Sequence, residues 1–210
     1  MSRGSFITLE GIEGAGKTTC MSQVRRLLEQ AGIDFLETRE PGGTQLGEDL
    51  RQLLLGHKHT GMSDDAELLL MFASRAEHLQ QKILPALDAG TWVLCDRFTD
   101  ATYAYQGGGR GIAFSRIEVL ENWVQAGLKP DLTLLLDLPV GQGLERAGKR
   151  SAPDRFESEA MVFFDRVRQS YLQLAAREPE RIRIIDSSQA LDAVLAQITE
   201  TVNNFLSKNT

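Results

Sequence analysis

"GIEGAGKTTC", residues 11–20, decides the fold, because its spacing suits a bound phosphate better than it suits packing. The stretch fits the pattern G-x-x-x-x-G-K-[ST] through Gly11, Gly16, Lys17 and Thr18. It follows "FITLE", an apolar run typical of a strand, and it precedes a helical pattern. This order predicts a loop whose backbone N–H groups surround an anion, beside the positive end of a helix. An ordinary glycine-rich turn needs no lysine and threonine at these offsets.

The predicted ligand of this loop is a nucleoside triphosphate, with ATP favoured over GTP. Lys17 is placed to neutralise the β and γ phosphates, and Thr18 to offer its hydroxyl to Mg²⁺. The Asn-Lys-x-Asp tetrad that reads guanine is absent from the chain. The motif does not separate kinases from ATPases, because both use the same phosphate cradle. The loop residues expected to contact ATP are Gly11, Ile12, Glu13, Gly14, Ala15, Gly16, Lys17, Thr18 and Thr19.

Runs of apolar residues bounded by turn residues recur along the chain and alternate with stretches of helical spacing. This alternation predicts a single doubly wound α/β domain over residues 1–210, with a parallel sheet and helices on both faces. Ligands of such domains lie beyond the carboxyl ends of the strands. Residues 64–88 are predicted to form one helix that begins at an Asp cap, and the glycines at 107–109 a flexible loop. The five apolar runs are "FITLEG", "FLETREP", "TWVLCDR", "DLTLLLDL" and "RIRIIDSS".

Composition excludes several classes of protein. A net charge of −6 argues against a general nucleic-acid surface, since such surfaces neutralise phosphates with clustered Lys and Arg. Cys20 and Cys95 are the only two cysteines and lie in apolar stretches, which favours buried thiols over a disulfide scaffold. No apolar run approaches the length of a membrane span. We therefore expect a cytoplasmic protein without a membrane or nucleic-acid partner.

Charged residues follow the second and third predicted strands, where a second phosphate could bind. In "VLCDRF", Asp96 is placed to hold the waters of a metal ion, and Arg97 offers a planar fork of donors suited to a phosphate. A salt bridge from Arg97 to a neighbouring aspartate is the alternative. Arg39, in "TREPGGT", and Arg51, on the next helix, could join Arg97 in a clamp. Arg51 taken alone is equally well explained as a solvated helix position.

A second group of side chains is suited to a nucleobase. Phe72 and Arg75 are three residues apart on the predicted helix, so a ring and a guanidinium share one face. In isolation, a helical Phe is more often part of the core. Thr102, Tyr105 and Gln106, in "DATYAYQGGGRG", offer hydroxyl and amide groups that could read base and sugar edges.

A basic lid is predicted between residues 144 and 156, after the fourth strand. It carries Arg146, Lys149, Arg150 and Arg155. Closing such a lid would bring positive charge to the transferred phosphoryl group and exclude water. A solvated run of charges is the alternative.

The motifs "GIEGAGKTT", "REPGGT", "DRF", "YQGGGRG" and "DRFE" together resemble the thymidylate kinase family of P-loop nucleoside monophosphate kinases, in its bacterial form, along essentially the whole chain. The resemblance implies phosphoryl transfer from MgATP to thymidine 5′-monophosphate (dTMP) by a cytosolic homodimer. It also implies a P-loop NTPase fold with a five-stranded parallel sheet of order 2-3-1-4-5 and a small lid.

The resemblance further implies roles for individual residues. Phe72 would stack on thymine, Arg75 would donate to a thymine carbonyl, Thr102 would face the pyrimidine N3 edge, and Gln106 would line the base pocket. Tyr105 would lie near the sugar and disfavour a 2′-hydroxyl. Arg97, Arg51 and Arg39 would bind the monophosphate, and Glu13 would lie near the sugar or the waters of the metal. Arg150 or Arg155 would contact the transferred phosphoryl group, and Arg146 would lie against the adenine.

Two alternatives to a dTMP kinase stay open from the sequence. One is an ATP-driven switch that binds a partner protein and phosphorylates no metabolite. It predicts slow hydrolysis that no nucleoside monophosphate accelerates, and it leaves Phe72, Arg75 and Thr102 without a purpose. The other is a kinase for a different nucleoside monophosphate or a deoxynucleoside.

Overall fold

The computed structural model describes residues 3–59, 61–148, 154–157 and 159–209. Its centre is one five-stranded parallel sheet in the order β2-β3-β1-β4-β5, which confirms the predicted fold. β1 pairs with β3 on one side and β4 on the other, so the strand that enters the phosphate loop is central. The strands are β1 (Phe6–Glu10), β2 (Phe35–Arg39), β3 (Trp92–Asp96), β4 (Leu132–Asp137) and β5 (Ile182–Asp186).

Helices cover both faces of the sheet, as the alternation of apolar runs predicts. On β3, Leu94 packs into the core formed with α1 and α9, whereas its neighbour Cys95 packs on the opposite face against Ile83 and Leu87. Side chains of a strand alternate between faces, so two separate clusters bury one sheet. The described helices are α1 (Lys17–Gln30), α2 (Gln45–Leu55), α3 (Asp64–His78), α4 (Leu84–Asp88), α5 (Thr99–Thr102), α6 (Phe114–Gln125), α7 (Val140–Gly148), α8 (Met161–Arg177) and α9 (Leu191–Asn209).

The long helix predicted over 64–88 is continuous but not uniform. A π-helical turn, Leu79–Ile83, joins α3 to α4, and Pro85 follows it. The cap is also not an aspartate: the Ser63 hydroxyl accepts a hydrogen bond from the backbone N–H of Ala66 at 3.3 Å. The Asp residues that follow instead occupy the first turn, where they face the positive helix end.

The prediction of a flexible glycine loop at 107–109 was wrong. Tyr103–Gly109 forms a π-helical segment that packs against α8. A Cβ on Gly108 would lie 2.0 Å from the Ser170 hydroxyl oxygen and 2.8 Å from the Arg166 carbonyl oxygen. The glycines therefore permit close packing against α8 and do not act as a hinge.

None of the helices within the described ranges has the length and apolar character that a bilayer span requires. The predicted lid lies partly outside the described residues, since α7 ends at Gly148 and residues 149–153, with Lys149 and Arg150, are not among them. Cys20 and Cys95 are both buried free thiols, in agreement with the sequence.

Candidate active site

A cavity of about 300 Å³ lies beyond the carboxyl ends of β1 and β3. We call it the central cavity. Glu13 to Thr18 of the phosphate loop form one part of its wall, and residues from α2, α3, the end of β3 and the segment 101–106 form another. Glu40 and Pro41, after β2, and Asp154, Phe156 and Glu157, from the predicted lid, also line it. A parallel sheet brings the ends of its central strands to one edge, so loops distant in sequence share this space.

The phosphate loop is fixed tightly against its surroundings. A Cβ on Gly14 would lie 1.9 Å from the carbonyl oxygen of Gly143 on α7, so only glycine fits there. Ser187, after β5, donates from its hydroxyl to the Ala15 carbonyl at 2.5 Å. Gly16 then begins α1 in a left-handed conformation. The loop is thus held in place by α7 and by the end of β5.

Lys17 lies in the central cavity with its charge only partly compensated. Its ammonium donates to the carbonyl oxygens of Gly11 at 3.0 Å and Ile12 at 3.1 Å. Burial lowers the pKa of Lys17 to about 8, and the nearby charge of Arg97 adds to the decrease. An anion bound in the loop would supply the missing negative charge and favour the protonated form.

Arg97 occupies a left-handed backbone position, with φ of 70°, at the end of β3. Its guanidinium donates to Glu13 at 2.8 Å and to the Tyr171 hydroxyl at 3.3 Å, and it lies 4.7 Å from the centroid of the Tyr105 ring. Tyr105 in turn donates to the other oxygen of Glu13 at 2.6 Å. The sequence suggested an ion pair to a neighbouring aspartate as the alternative role, but the partner is Glu13 of the phosphate loop.

Glu10, which the sequence analysis did not single out, supports this arrangement from beneath. Its carboxylate accepts from the Phe98 backbone N–H and from the Tyr171 hydroxyl, each at 2.7 Å. These bonds hold the backbone that follows Arg97 in its unusual conformation. Burial raises the pKa of Glu10 from 4.5 to about 8, and the charge of Asp100 contributes. The sequence signal that could have identified Glu10 was an acidic residue at the end of an apolar strand.

Because the pKa of Glu10 is higher in the folded chain than in the unfolded chain, stability contributed by its proton is lost as pH rises. We expect the free energy of unfolding to fall between about pH 5 and 8, by at most about 1.4 kcal/mol per pH unit. Glu10→Gln keeps an acceptor for Phe98 and cannot ionise, so it should remove this slope. Urea unfolding at pH 5, 6.5 and 8 measures it, with the exposed Glu180→Gln as control. Equal slopes in wild type and Glu10→Gln would contradict a raised pKa.

Arg75 also lines the central cavity, and its guanidinium is held by contacts within the protein. Its guanidinium donates to Glu40 at 2.7 Å and to the Thr102 hydroxyl at 2.9 Å, and lies over the Phe72 ring, 4.8 Å from the centroid. Burial would raise the pKa of Glu40, but Arg75 and His78 outweigh this effect and hold that pKa below its usual value. The remaining nitrogen, Nη1, is buried and has no partner among the described residues. One donor is thus left for a ligand.

The predicted stacking role of Phe72 stays a prediction, because the ring lies behind the residues that line the cavity in this structure. Phe72 is only 2% exposed, belongs to a cluster with Leu68, Ile112 and Ile117, and does not line the central cavity. The preceding residue, Met71, lines it instead. The spacing correctly paired the ring with Arg75, but the ring supports the guanidinium from the core side.

Two predicted arginines lie outside the central cavity. Arg39 is about half exposed, pairs with Glu48 at 2.8 Å, and lines a neighbouring open groove together with Thr18 and Asp96. Arg155 is 9% exposed, and its guanidinium donates to the Leu54 carbonyl at 2.7 Å and to buried Glu67 at 2.5 Å. Neither guanidinium lines the central cavity, so the roles predicted for Arg39 and Arg155 at the phosphates stay predictions.

The other predicted residues are distributed as follows. Arg51 lines the cavity and donates to the Pro41 carbonyl at 2.9 Å, and Thr102 and Gln106 line it from the segment after β3. Arg146, on α7, donates to the Ser187 carbonyl at 2.9 Å, close to the phosphate loop. Thr19 is exposed on the first turn of α1. Arg150 lies outside the described residues.

One oxygen in the cavity, Asp96 Oδ1, is buried without a partner in the described part of the chain. Asp96 and Thr18 line the neighbouring groove together as well as the cavity. Within the described ranges there is no group of three or more His, Cys, Asp or Glu side chains that could hold a metal alone. This arrangement fits Mg²⁺, which keeps waters and takes one or two protein ligands together with substrate phosphates.

Comparisons with known proteins agree with this geometry. Residues 9–198 match the family model described as thymidylate kinase. The thymidylate kinase of Alkalilimnicola ehrlichii is 58% identical over 96% of this chain and 94% of its own length, and that of Nitrosomonas europaea is 55% identical over 99% and 96%. The crystal structure of the Ehrlichia chaffeensis thymidylate kinase superposes with a TM-score of 0.77 at 34% identity, covering 96% of this chain and 99% of the other.

Proposed function

We propose how this chain, which belongs to the thymidylate kinase family, uses the central cavity to transfer a phosphoryl group from ATP to dTMP. The observation that carries the proposal is that a phosphate-binding loop and an unpaired buried donor lie in the wall of one cavity. The loop carries Lys17, and the donor is Nη1 of Arg75. Arg97 also lines the cavity and is tied to Glu13 of the loop. Two nucleotides bound with their phosphates towards each other would bring those phosphates together in this cavity.

On the donor side, the amides of the phosphate loop and the ammonium of Lys17 bind the β and γ phosphates of ATP. Thr18 and Asp96 would hold Mg²⁺, which when bound neutralises charge on the phosphates. Asp96 suits this role because its buried oxygen lacks any described partner. Arg146 would contact the adenine from α7. Its hydrogen bond to Ser187, itself bonded to the phosphate loop, supports that position.

On the acceptor side, Arg97 and Arg51 bind the monophosphate. Arg75 donates from Nη1 to a carbonyl of thymine, beside Thr102. Tyr105 and Glu13, hydrogen-bonded to each other, lie between base and phosphate and face the sugar. Both residues line the cavity, so a ribose placed against them would bring its 2′-hydroxyl towards groups that are already hydrogen-bonded to each other.

Catalysis in this arrangement consists of alignment and charge stabilisation. The attacking oxygen of dTMP is already anionic, so no side chain has to remove a proton from it. Lys17 and Arg97 approach the transferred group from two sides and lose little freedom in doing so, because both are held by the protein. Donors fixed in this way stabilise the charge that develops in the transition state.

An acceptor panel tests the proposed function. ADP formation from MgATP is measured with dTMP, dUMP, AMP, CMP, GMP and thymidine. We expect the highest kcat/KM with dTMP. A preference for another monophosphate or for thymidine would overturn the substrate, and hydrolysis insensitive to all six would favour the ATP-driven switch.

The base contact is tested by two neighbouring substitutions. Met71→Ala should raise the KM for dTMP about fivefold with little change in stability, because it removes apolar surface from the cavity wall. Phe72→Ala should lower the free energy of unfolding by about 3 kcal/mol, because it leaves a hole in the core. Kinetics and thermal melts of both variants measure this. If Phe72→Ala alone raised KM and left stability unchanged, the ring would have to face the base.

A homodimer is part of the proposal and has a candidate interface. Trp123 is 81% exposed and Val119 66% exposed on α6, and Leu69 is 56% exposed on neighbouring α3. Large apolar side chains this exposed on adjacent helices favour a protein contact. The two copies would meet through these helices in the cytoplasm, the compartment expected for a chain with buried free thiols.

Trp123→Glu should separate the two copies. Loss of one central Trp and burial of a charge would weaken self-association by about thirtyfold or more. Light scattering over a dilution series measures the mass against 23.3 kDa for one chain. Leu191→Glu, at a 55% exposed apolar site on α9, is the matched control and should leave the mass unchanged. A dimer that survives Trp123→Glu would place the interface elsewhere.

A further inference from the structure

Glu67 is a fully buried carboxylate on α3, one hydrogen bond behind the wall of the central cavity. It accepts from Gln106 Nε2 at 2.8 Å, from Arg110 at 3.3 Å and from Arg155 at 2.5 Å. The two guanidinium groups compensate a charge that would otherwise be costly to bury. The third donor, the amide of Gln106, is neutral. Charge balance therefore does not explain why a Gln is placed there.

The carboxylate decides which way the Gln106 amide points. Glu67 flanked by two cations has only acceptors to offer, so Gln106 must present its NH₂ group to it. The carbonyl oxygen of Gln106 is then on the opposite side of the amide. Gln106 lines the central cavity, and its side-chain hydrogen bond to Glu67 uses only the NH₂ group. The Gln106 carbonyl oxygen is therefore a fixed hydrogen-bond acceptor in the cavity wall. An unconstrained amide could present either its carbonyl oxygen or its NH₂ group there.

This acceptor stands in the same cavity as the unpaired Nη1 donor of Arg75. A donor together with an acceptor matches the imide edge of thymine or uracil, which presents a carbonyl oxygen and an N–H. Cytosine presents an amino group and a bare ring nitrogen, the reverse pattern. The Thr102 hydroxyl already accepts from Arg75 and can turn its own hydrogen freely, so it discriminates less.

We propose that Glu67 is a positioning residue for base selectivity: it holds the Gln106 amide so that the cavity takes a pyrimidine with an imide edge and rejects cytosine. The proposal rests on the proposed function, because it takes dTMP as the acceptor. It goes beyond that function in assigning selectivity to a residue that does not touch the nucleotide.

Glu67→Gln tests the proposal while keeping the shape of the side chain. An amide at position 67 can offer either N–H or C=O, so Gln106 can adopt both orientations. The ratio of kcat/KM for dTMP over dCMP should fall about tenfold or more, mainly through KM. The kcat at saturating dTMP should stay within about threefold, because the residues at the phosphates are unchanged. An unchanged ratio would overturn the proposal.

Arg110→Gln is the matched control, because it removes another partner of Glu67 and leaves the bond to Gln106. It should keep the dTMP over dCMP ratio. If the dTMP over dCMP ratio fell equally in Arg110→Gln, a general loosening of the structure around position 67 would explain the effect of Glu67→Gln. That result would overturn the proposal. If Glu67→Gln alone does not fold, the charge-balanced pair Glu67→Gln/Arg110→Gln, compared with Arg110→Gln, gives the same comparison.

A second comparison separates positioning from stability. In a Gln106→Leu background there is no amide to orient, so adding Glu67→Gln should leave the ratio unchanged. A further fall in this background would show that Glu67 acts by another route and would overturn the proposal. Failure of the proposed function is distinguishable, because it would appear in the wild-type chain as no preference for dTMP.

Discussion

Lys17→Met should slow the formation of dTDP from MgATP and dTMP by about a hundredfold or more. The substitution removes one preorganised positive charge that would stabilise the transferred phosphoryl group. Methionine matches the length and apolar stem of lysine, so the fold is preserved. The ammonium in the structure rests on the carbonyls of Gly11 and Ile12, ready for a phosphate. Burial lowers the pKa of Lys17 to about 8. The negative charge of bound phosphates would favour the protonated form of Lys17, and the protonated ammonium would in turn bind those phosphates.

Steady-state kinetics at saturating MgATP and dTMP measure the effect of Lys17→Met. Lys208→Met, on the exposed end of α9, is the control and should behave as wild type. Retention of more than about a tenth of wild-type kcat would rule out Lys17 as a major source of charge stabilisation.

Arg97→Ala should also cost about a hundredfold or more in turnover. Arg97 links two elements that line the cavity, since it donates to Glu13 of the phosphate loop and lies over the Tyr105 ring. Removing it leaves the acceptor phosphate with Arg51 alone and Glu13 without its counter-charge. Arg97→Lys should recover part of the loss, because an ammonium keeps the charge but cannot make the planar, forked contact.

The Arg97 variants are compared by kcat and by KM for dTMP, with the half-exposed Arg183→Ala on β5 as control. We expect both parameters to change, since the side chain would bind the acceptor in the ground state and in the transition state. Near-normal turnover of Arg97→Ala would restrict Arg97 to holding Glu13 in place.

The phosphate loop could be located from the sequence because its geometry is local. Backbone direction, the start of α1 and the positions of Lys17 and Thr18 all follow from ten consecutive residues. The strand order followed only from the resemblance to a family, because alternating strands and helices are compatible with several orders of a doubly wound sheet. The pairing of β1 between β3 and β4 is a long-range property.

The sequence was least informative where one side chain had to be chosen over its neighbour. Helical spacing puts Phe72 beside Arg75, yet it does not determine that Met71 reaches the cavity while Phe72 joins the core. From the sequence, Arg155 is predicted to be a cation of the lid, because its partner, Glu67, is 88 residues away in the chain and cannot be inferred from spacing. The spacing of residues in the sequence does not show which side chains are buried against elements distant in the chain.

The most direct test of the account follows the γ-phosphoryl group itself. The purified chain is incubated with ATP labelled at the γ-phosphate, Mg²⁺ and dTMP, and the labelled products are separated. If two nucleotides meet in the central cavity, the label passes to dTDP in the same amount as ADP is formed, and little inorganic phosphate appears. Label released only as inorganic phosphate, at a rate that dTMP does not change, would contradict the account.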